Sequence, residues 1–115
     1  MEHFHEVTDT LRAPHRELTE ALPKVMAGFG ALHAAAMAEG ALSARMKELI
    51  ALAISITREC DGCIAAHARG AARRGASVTE VVEMIGVAIS MNGGPGTVWG
   101  PRALAAFHEF ADAEA

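Results

Sequence analysis

Tyrosine is absent from this chain, tryptophan occurs once and phenylalanine four times, so aromatics supply only 4% of its 115 residues. Because 51% of the residues are hydrophobic all the same, a core has to be assembled from Ala, Leu, Ile, Val and Met. Ala-rich, Met-containing segments separated by Pro and Gly favour helix over sheet. Basic residues are also sparse. Ten Lys and Arg against fourteen Asp and Glu leave a net charge of −4, and the only basic run is Arg73-Arg74. This argues against a nucleic-acid partner, whose phosphates demand clustered cations; a pair of arginines suits the carbonyl end of a helix instead. Long apolar runs are missing too: the longest, Leu49 to Ile56, falls far short of the ~20 residues that span a bilayer. The opening residues, Met1-Glu2-His3-Phe4-His5-Glu6, are charged and lack the apolar stretch of a signal peptide. A cytoplasmic location with no membrane partner is therefore expected, and residues 1–115 are read as a single domain.

What is present is a series of helix signals. A first helix is expected from Phe4 to about Ala21, with a bend at Pro14, where the ring removes a backbone donor. Pro23 is placed to open a second helix running to about Ala38, before Glu39-Gly40. Ser43 suits the N-cap of a third, Ala44 to Thr57, whose run Leu49-Ile50-Ala51-Leu52-Ala53-Ile54-Ser55-Ile56 predicts a helix buried all round. A fourth begins at or just after Cys60 and ends near Arg74, with Gly75 as its terminating residue. Ser77-x-x-Glu80 is a capping-box pattern for a fifth, through about Asn92. Asn92-Gly93-Gly94 then breaks the chain. Pro95 starts a last helix, in which Gly96 and Gly100 weaken the first half and Arg102 to Ala113 form the firm part, with Leu104, Phe107 and Phe110 on its apolar side. The fold class is thus all-α, a single-domain bundle of about six helices. The apolar surfaces of the third helix and of Val81 to Met91 exceed what so short a chain can cover, which points to a homo-oligomer.

The two cysteines are the only ones in the chain and form Cys60-Asp61-Gly62-Cys63, followed four residues later by His67. Thiols this close can cycle to a disulfide. A cysteine at a helix N-terminus meets unpaired N–H groups and the positive end of the helix dipole, both of which favour thiolate. His67 lies one turn beyond Cys63 on the same face, in reach of a thiol proton directly or through a water. Glu48, the only acid within the apolar third helix, would orient and charge-stabilise that imidazole if the two helices fold back on each other. Metal binding and an idle structural dithiol are the competing readings. A structural zinc wants four ligands, and the chain offers Cys60, Cys63, His67 and at most Glu48, so no metal and no cofactor are expected. His3-x-His5 is read as a solvated terminus. His15, His33 and His108 show no partner pattern. Met26, Met37, Met46, Met84 and Met91 are read as core or interface filler, and Trp99 as an interface residue.

Glu48, then Cys60-x-x-Cys63, then His67, together with Lys47-Glu48-Leu49-Ile50-Ala51-Leu52-Ala53 and Met91-Asn92-Gly93-Gly94-Pro95, resembles the alkylhydroperoxidase D / carboxymuconolactone decarboxylase superfamily over about residues 5 to 112. The resemblance implies an all-α fold assembled as a homo-trimer or homo-hexamer. It also implies thiol-dependent reduction of hydroperoxides, with electrons from a thiol donor such as a lipoylated protein. Carried over, Cys60 and Cys63 become the catalytic redox pair, with Glu48 and His67 as the proton relay. The chain departs from that enzyme in being shorter and in placing Gly62 where the enzyme has a second histidine. The expected activity is that of a thiol–disulfide oxidoreductase acting on a small-molecule peroxide or disulfide. The helix dipole favours Cys60 as the attacking sulfur and the neighbouring His67 favours Cys63, which is expected to matter most for peroxide. A carboxymuconolactone decarboxylase-like lyase and a non-catalytic redox sensor or assembly protein are the alternatives.

Overall fold

The computed structural model describes residues 2–114 and contains six helices and, among the described residues, no strand. They are α1 (His3–Ala21), α2 (Pro23–Met37), α3 (Ala44–Thr57), α4 (Asp61–Arg73), α5 (Val78–Asn92) and α6 (Gly96–Glu114). The all-α expectation and the element order hold. The caps lie where the side-chain chemistry placed them: Ser43 Oγ accepts from the Met46 N–H at 3.0 Å, and Ser77 and Glu80 form a reciprocal capping box.

Two tight turns frame α4. At the end of α3, the Cys60 N–H reaches back to the Ser55 carbonyl and the Glu59 N–H to that of Ile56, with Glu59 at φ 53°. At the end of α4, Ala76 N–H bonds to the Ala71 carbonyl and Gly75 N–H to that of Ala72, with Gly75 at φ 80°. Both are Schellman terminations. Only the second has the glycine that its left-handed backbone favours, so Glu59 carries a steric cost for turning the chain into Cys60.

Helix α4 is the centre of the bundle, packed against α1, α3 and α6. Its buried positions are Ile64 and the small residues Ala65, Ala68 and Ala71, which let neighbouring helices approach closely. Leu52, Ile56, Ile64, Val81 and Phe107 are the largest fully buried side chains.

Three sequence expectations change. Helix α3 is not buried all round: Leu49, Leu52, Ser55 and Ile56 face the core, while Ile50 and Ile54 are exposed on the opposite side. An all-apolar run reports the sum of the surfaces a helix must cover, including any that lie outside its own chain. The last helix is continuous from Gly96 through Pro101, because its two glycines are a packing seam: a Cβ at Gly96 would stand 2.9 Å from Ile89 Cα, and one at Gly100 2.8 Å from Ile85 Cγ2. The N-terminus is tied down. Glu109, almost fully buried on α6, accepts from the Phe4 and His5 N–H groups and pairs with the His5 ring. It serves as a cap for α1 supplied by a distant residue. Burial alone would raise the Glu109 pKa, but the hydrogen bonds from His5 and Phe4 and the charge of His5 outweigh it and hold the carboxyl below its ordinary value.

Helix α2 has no buried residue at all: Val25, Phe29 and Leu32 each remain more than 60% exposed. Met91 and Met46 are exposed as well, so they are surface residues of the single chain and not core filler. Among the described residues no helix is long and apolar enough to cross a membrane.

Candidate functional site

Cys60 is the N-cap of α4, and its sulfur accepts the Cys63 N–H at 3.2 Å. The turn therefore delivers the first sulfur directly to the electropositive end of the helix. Cys63, one turn in, closes a disulfide with Cys60 across a Cα–Cα separation of 5.2 Å. Cys63 is exposed and Cys60 half-buried. In thiol exchange an incoming thiolate has open access to the Cys63 sulfur. Cys60 is the better leaving group, since the helix N–H groups stabilise it as thiolate.

Glu48 and His67 meet: Nδ1 of the ring lies 2.9 Å from Oε2 of the carboxylate, with side-chain exposures of 18% and 14% respectively. Glu48 stands on α3 and His67 on α4, so the antiparallel packing of these helices makes the pair. Engagement of Nδ1 leaves Nε2 as the free nitrogen of His67. Among the described residues no hydrogen bond links that ring to either sulfur; His67 and Cys63 share a helix face one turn apart. The approach of Glu48 depends on Gly70, because a Cβ at that position would overlap the Glu48 carboxylate.

Asp61, between the cysteines in sequence, is tethered from two sides. His3 Nε2 lies 3.3 Å from Oδ2, and Arg102 Nη1 lies 3.9 Å from Oδ1, which is buried and makes no hydrogen bond. Arg102 also stacks over the Trp99 ring at 4.9 Å. Trp99 thereby packs against the core and the Asp61 tether. His33 of α2 approaches as well, its ring centroid 5.8 Å from that of His67. Among the described residues, no three His, Cys, Asp or Glu side chains are grouped so as to hold a metal ion.

Sequence reasoning singled out Cys60, Cys63, His67 and Glu48, and the structure joins them as two pairs, the Cys60–Cys63 disulfide at the start of α4 and the Glu48–His67 hydrogen bond between α3 and α4. It missed Gly70, His33 and the Asp61 tether. Gly70 lies three residues beyond His67 on the same helix, so a small residue facing Glu48 was visible in principle. His33 and His3 have no local signal, because their partners are far away in the chain.

The model of the carboxymuconolactone decarboxylase family matches residues 23–110. An uncharacterised protein of Cupriavidus necator is 38% identical over 90 residues, covering 78% of this chain and 80% of that one. An uncharacterised protein of the cox locus of Paracoccus denitrificans is 40% identical over 81 residues, 70% of this chain and 73% of its own length. The crystal structure of an apo carboxymuconolactone decarboxylase family protein from Legionella pneumophila superposes with a TM-score of 0.94 at 34% identity, covering 96% of this chain and 99% of that one.

Proposed function

The chain belongs to the carboxymuconolactone decarboxylase family, and from that premise we propose that it is a thiol–disulfide oxidoreductase with peroxidase-type chemistry. The observation that carries this reading is the Glu48–His67 hydrogen bond one helical turn beyond a Cys-x-x-Cys whose first sulfur caps the helix. A lyase acting on a lactone has no need of a dithiol at a helix N-terminus.

The reaction balances with the groups present. In the reduced protein, the Cys63 thiol gives its proton to the His67–Glu48 pair, and the thiolate attacks the terminal oxygen of a hydroperoxide. The O–O bond breaks as the S–O bond forms, leaving an alcohol and Cys63 sulfenic acid. The Cys60 thiol then displaces water from that sulfur, closing the disulfide that the structure contains. A dithiol donor, of which a lipoylated protein is one example, attacks the exposed Cys63 sulfur, and Cys60 leaves as thiolate. The donor is oxidised to its own disulfide and the cycle restarts.

We also propose that the subunits form a homo-trimer or homo-hexamer. A helix that is apolar around its circumference, as α2 is, is ordinarily buried. The groove of about 580 Å³ between α3 and α5, lined by Met46, Ile50, Ile54, Met84 and Val87, is a second uncovered apolar surface.

Steady-state reduction of an alkyl hydroperoxide with a small dithiol donor tests the catalytic reading. Cys60→Ser, Cys63→Ser and Glu48→Gln are each expected to lose turnover, and undiminished activity in all three would dismiss it. The second reading, a lactone decarboxylase, has the family description in its favour. Decarboxylation by the double cysteine variant would establish it in place of the first.

A further inference from the structure

We infer that His33 of α2 is a second proton-transfer group of this site, donating to the oxygen that leaves when a hydroperoxide is cleaved. The inference rests on the peroxidase reading above and adds the residue that completes it. Thiol attack on a hydroperoxide makes two proton demands: one proton must leave the sulfur, and one must reach the departing alkoxide. His67 serves the first demand, with Nδ1 held by Glu48 and a single nitrogen left free.

His33 is placed for the second. Its centroid lies 5.8 Å from that of His67, with the rings tilted by 39°. An oxygen at the usual hydrogen-bond distance of ~2.8 Å from an edge nitrogen of one ring can reach the other ring at that separation. On the same helix, Phe29 stacks on His33 with a centroid distance of 5.9 Å and an interplanar angle of 25°, restricting its orientation.

The surroundings say which oxygen His33 would meet. A hollow of about 410 Å³ between α1 and α2 is lined by His33, Met26, Phe29 and Pro23 of α2 and by His15 and Thr19 of α1. An organic tail seated against these side chains places the carbon-bearing oxygen, which is the leaving one, beside His33. The terminal oxygen then lies on the His67 side of the two rings, and Cys63 is one helical turn from His67 on the same face. In the balanced step, S–H and R–O–O–H become S–O–H and R–O–H: sulfur is oxidised by two electrons, the peroxide is reduced by two, His67 accepts the thiol proton and His33 supplies one to the alkoxide. Exchange with solvent resets both rings.

Leaving-group dependence tests this without an electron donor. Fully reduced wild-type protein and His33→Asn are each mixed with cumene hydroperoxide and, separately, with an aromatic nitro-disulfide, whose thiolate departs without needing a proton. His33 is exposed in the single chain, and equal native mass of His33→Asn and wild type checks that the assembly is kept. The ratio of the hydroperoxide rate constant to the disulfide rate constant is expected to fall about 100-fold in His33→Asn, the usual scale of general-acid assistance. An unchanged ratio, whether neither rate falls or both fall equally, overturns the inference, the latter by showing that His33 only packs the site. A wild-type protein that reacts with the disulfide but not with the hydroperoxide overturns the peroxidase reading itself, and this inference with it.

Discussion

Replacing Gly70 with alanine separates the role of the Glu48–His67 pair from the stability of the fold. The new Cβ would occupy the space of the Glu48 carboxylate, which is the far end of a flexible side chain and can swing away. Alanine for glycine inside α4 gains about 1 kcal/mol of helix propensity. Losing the hydrogen bond to His67 costs roughly 1–2 kcal/mol, since a charge-assisted bond in a partly open site lies at the low end of its range. The net loss is therefore at most about 1 kcal/mol, and Tm moves by less than about 5 °C. Catalysis does not share this compensation. With Glu48 displaced, His67 loses the carboxylate that orients it, and hydroperoxide turnover is expected to fall about 100-fold.

A double-mutant cycle isolates the cause. In a Glu48→Ala background the added methyl meets no carboxylate, so Gly70→Ala changes the rate no further. Initial rates of hydroperoxide reduction for the four proteins, each checked by thermal unfolding, give the answer. Additive effects of the two substitutions on the logarithm of the rate would show that Gly70 does not act through Glu48, as would wild-type turnover in Gly70→Ala.

Three further outcomes follow from the packing. Glu59→Gly relieves the left-handed backbone at φ 53° and is expected to raise stability by up to about 1 kcal/mol, part of the relief being offset by the freer unfolded chain; a lowered urea midpoint would contradict it. Gly96→Ala forces a methyl toward the Ile89 backbone, which cannot yield as a side chain can, and a loss of roughly 1–3 kcal/mol is expected in the same assay. The lowered pKa of Glu109 means that the folded state favours its ionised form. Its stabilisation is complete above the ordinary carboxylate range and is lost as pH falls through the lowered value. Glu109→Gln should thus show a shallower fall in Tm on the acid side than the wild type, and parallel curves would count against the assignment.

Local chemistry was legible in the sequence and distant pairing was not. Ser43, Ser77 with Glu80, Pro23 and Gly75 announced helix ends because capping involves neighbours within one turn. Glu59 gave no such notice, since a left-handed residue other than glycine is held by the turn around it. Gly96 and Gly100 read as weak points of the last helix because their value, close approach to α5, exists only after packing. Ile50 and Ile54 were expected to be buried, because an apolar run does not say whether its cover comes from its own chain. In the site, the spacing of Cys60, Cys63 and His67 fixed their common face on α4. That Glu48 would reach them rested on a family resemblance, because its carboxylate meets His67 across two helices. The His5–Glu109 pair, separated by 104 residues, has no sequence signal of any kind.

Dithiol peroxidase chemistry is tested by following fully reduced protein after addition of one equivalent of cumene hydroperoxide, by intact mass and by alcohol released. Each subunit is expected to lose two hydrogens as the Cys60–Cys63 disulfide closes, with one alcohol formed per disulfide, and Glu48→Gln to do the same about 100-fold more slowly. Thiols that stay reduced, or a Glu48→Gln variant that reacts at the wild-type rate, would contradict it.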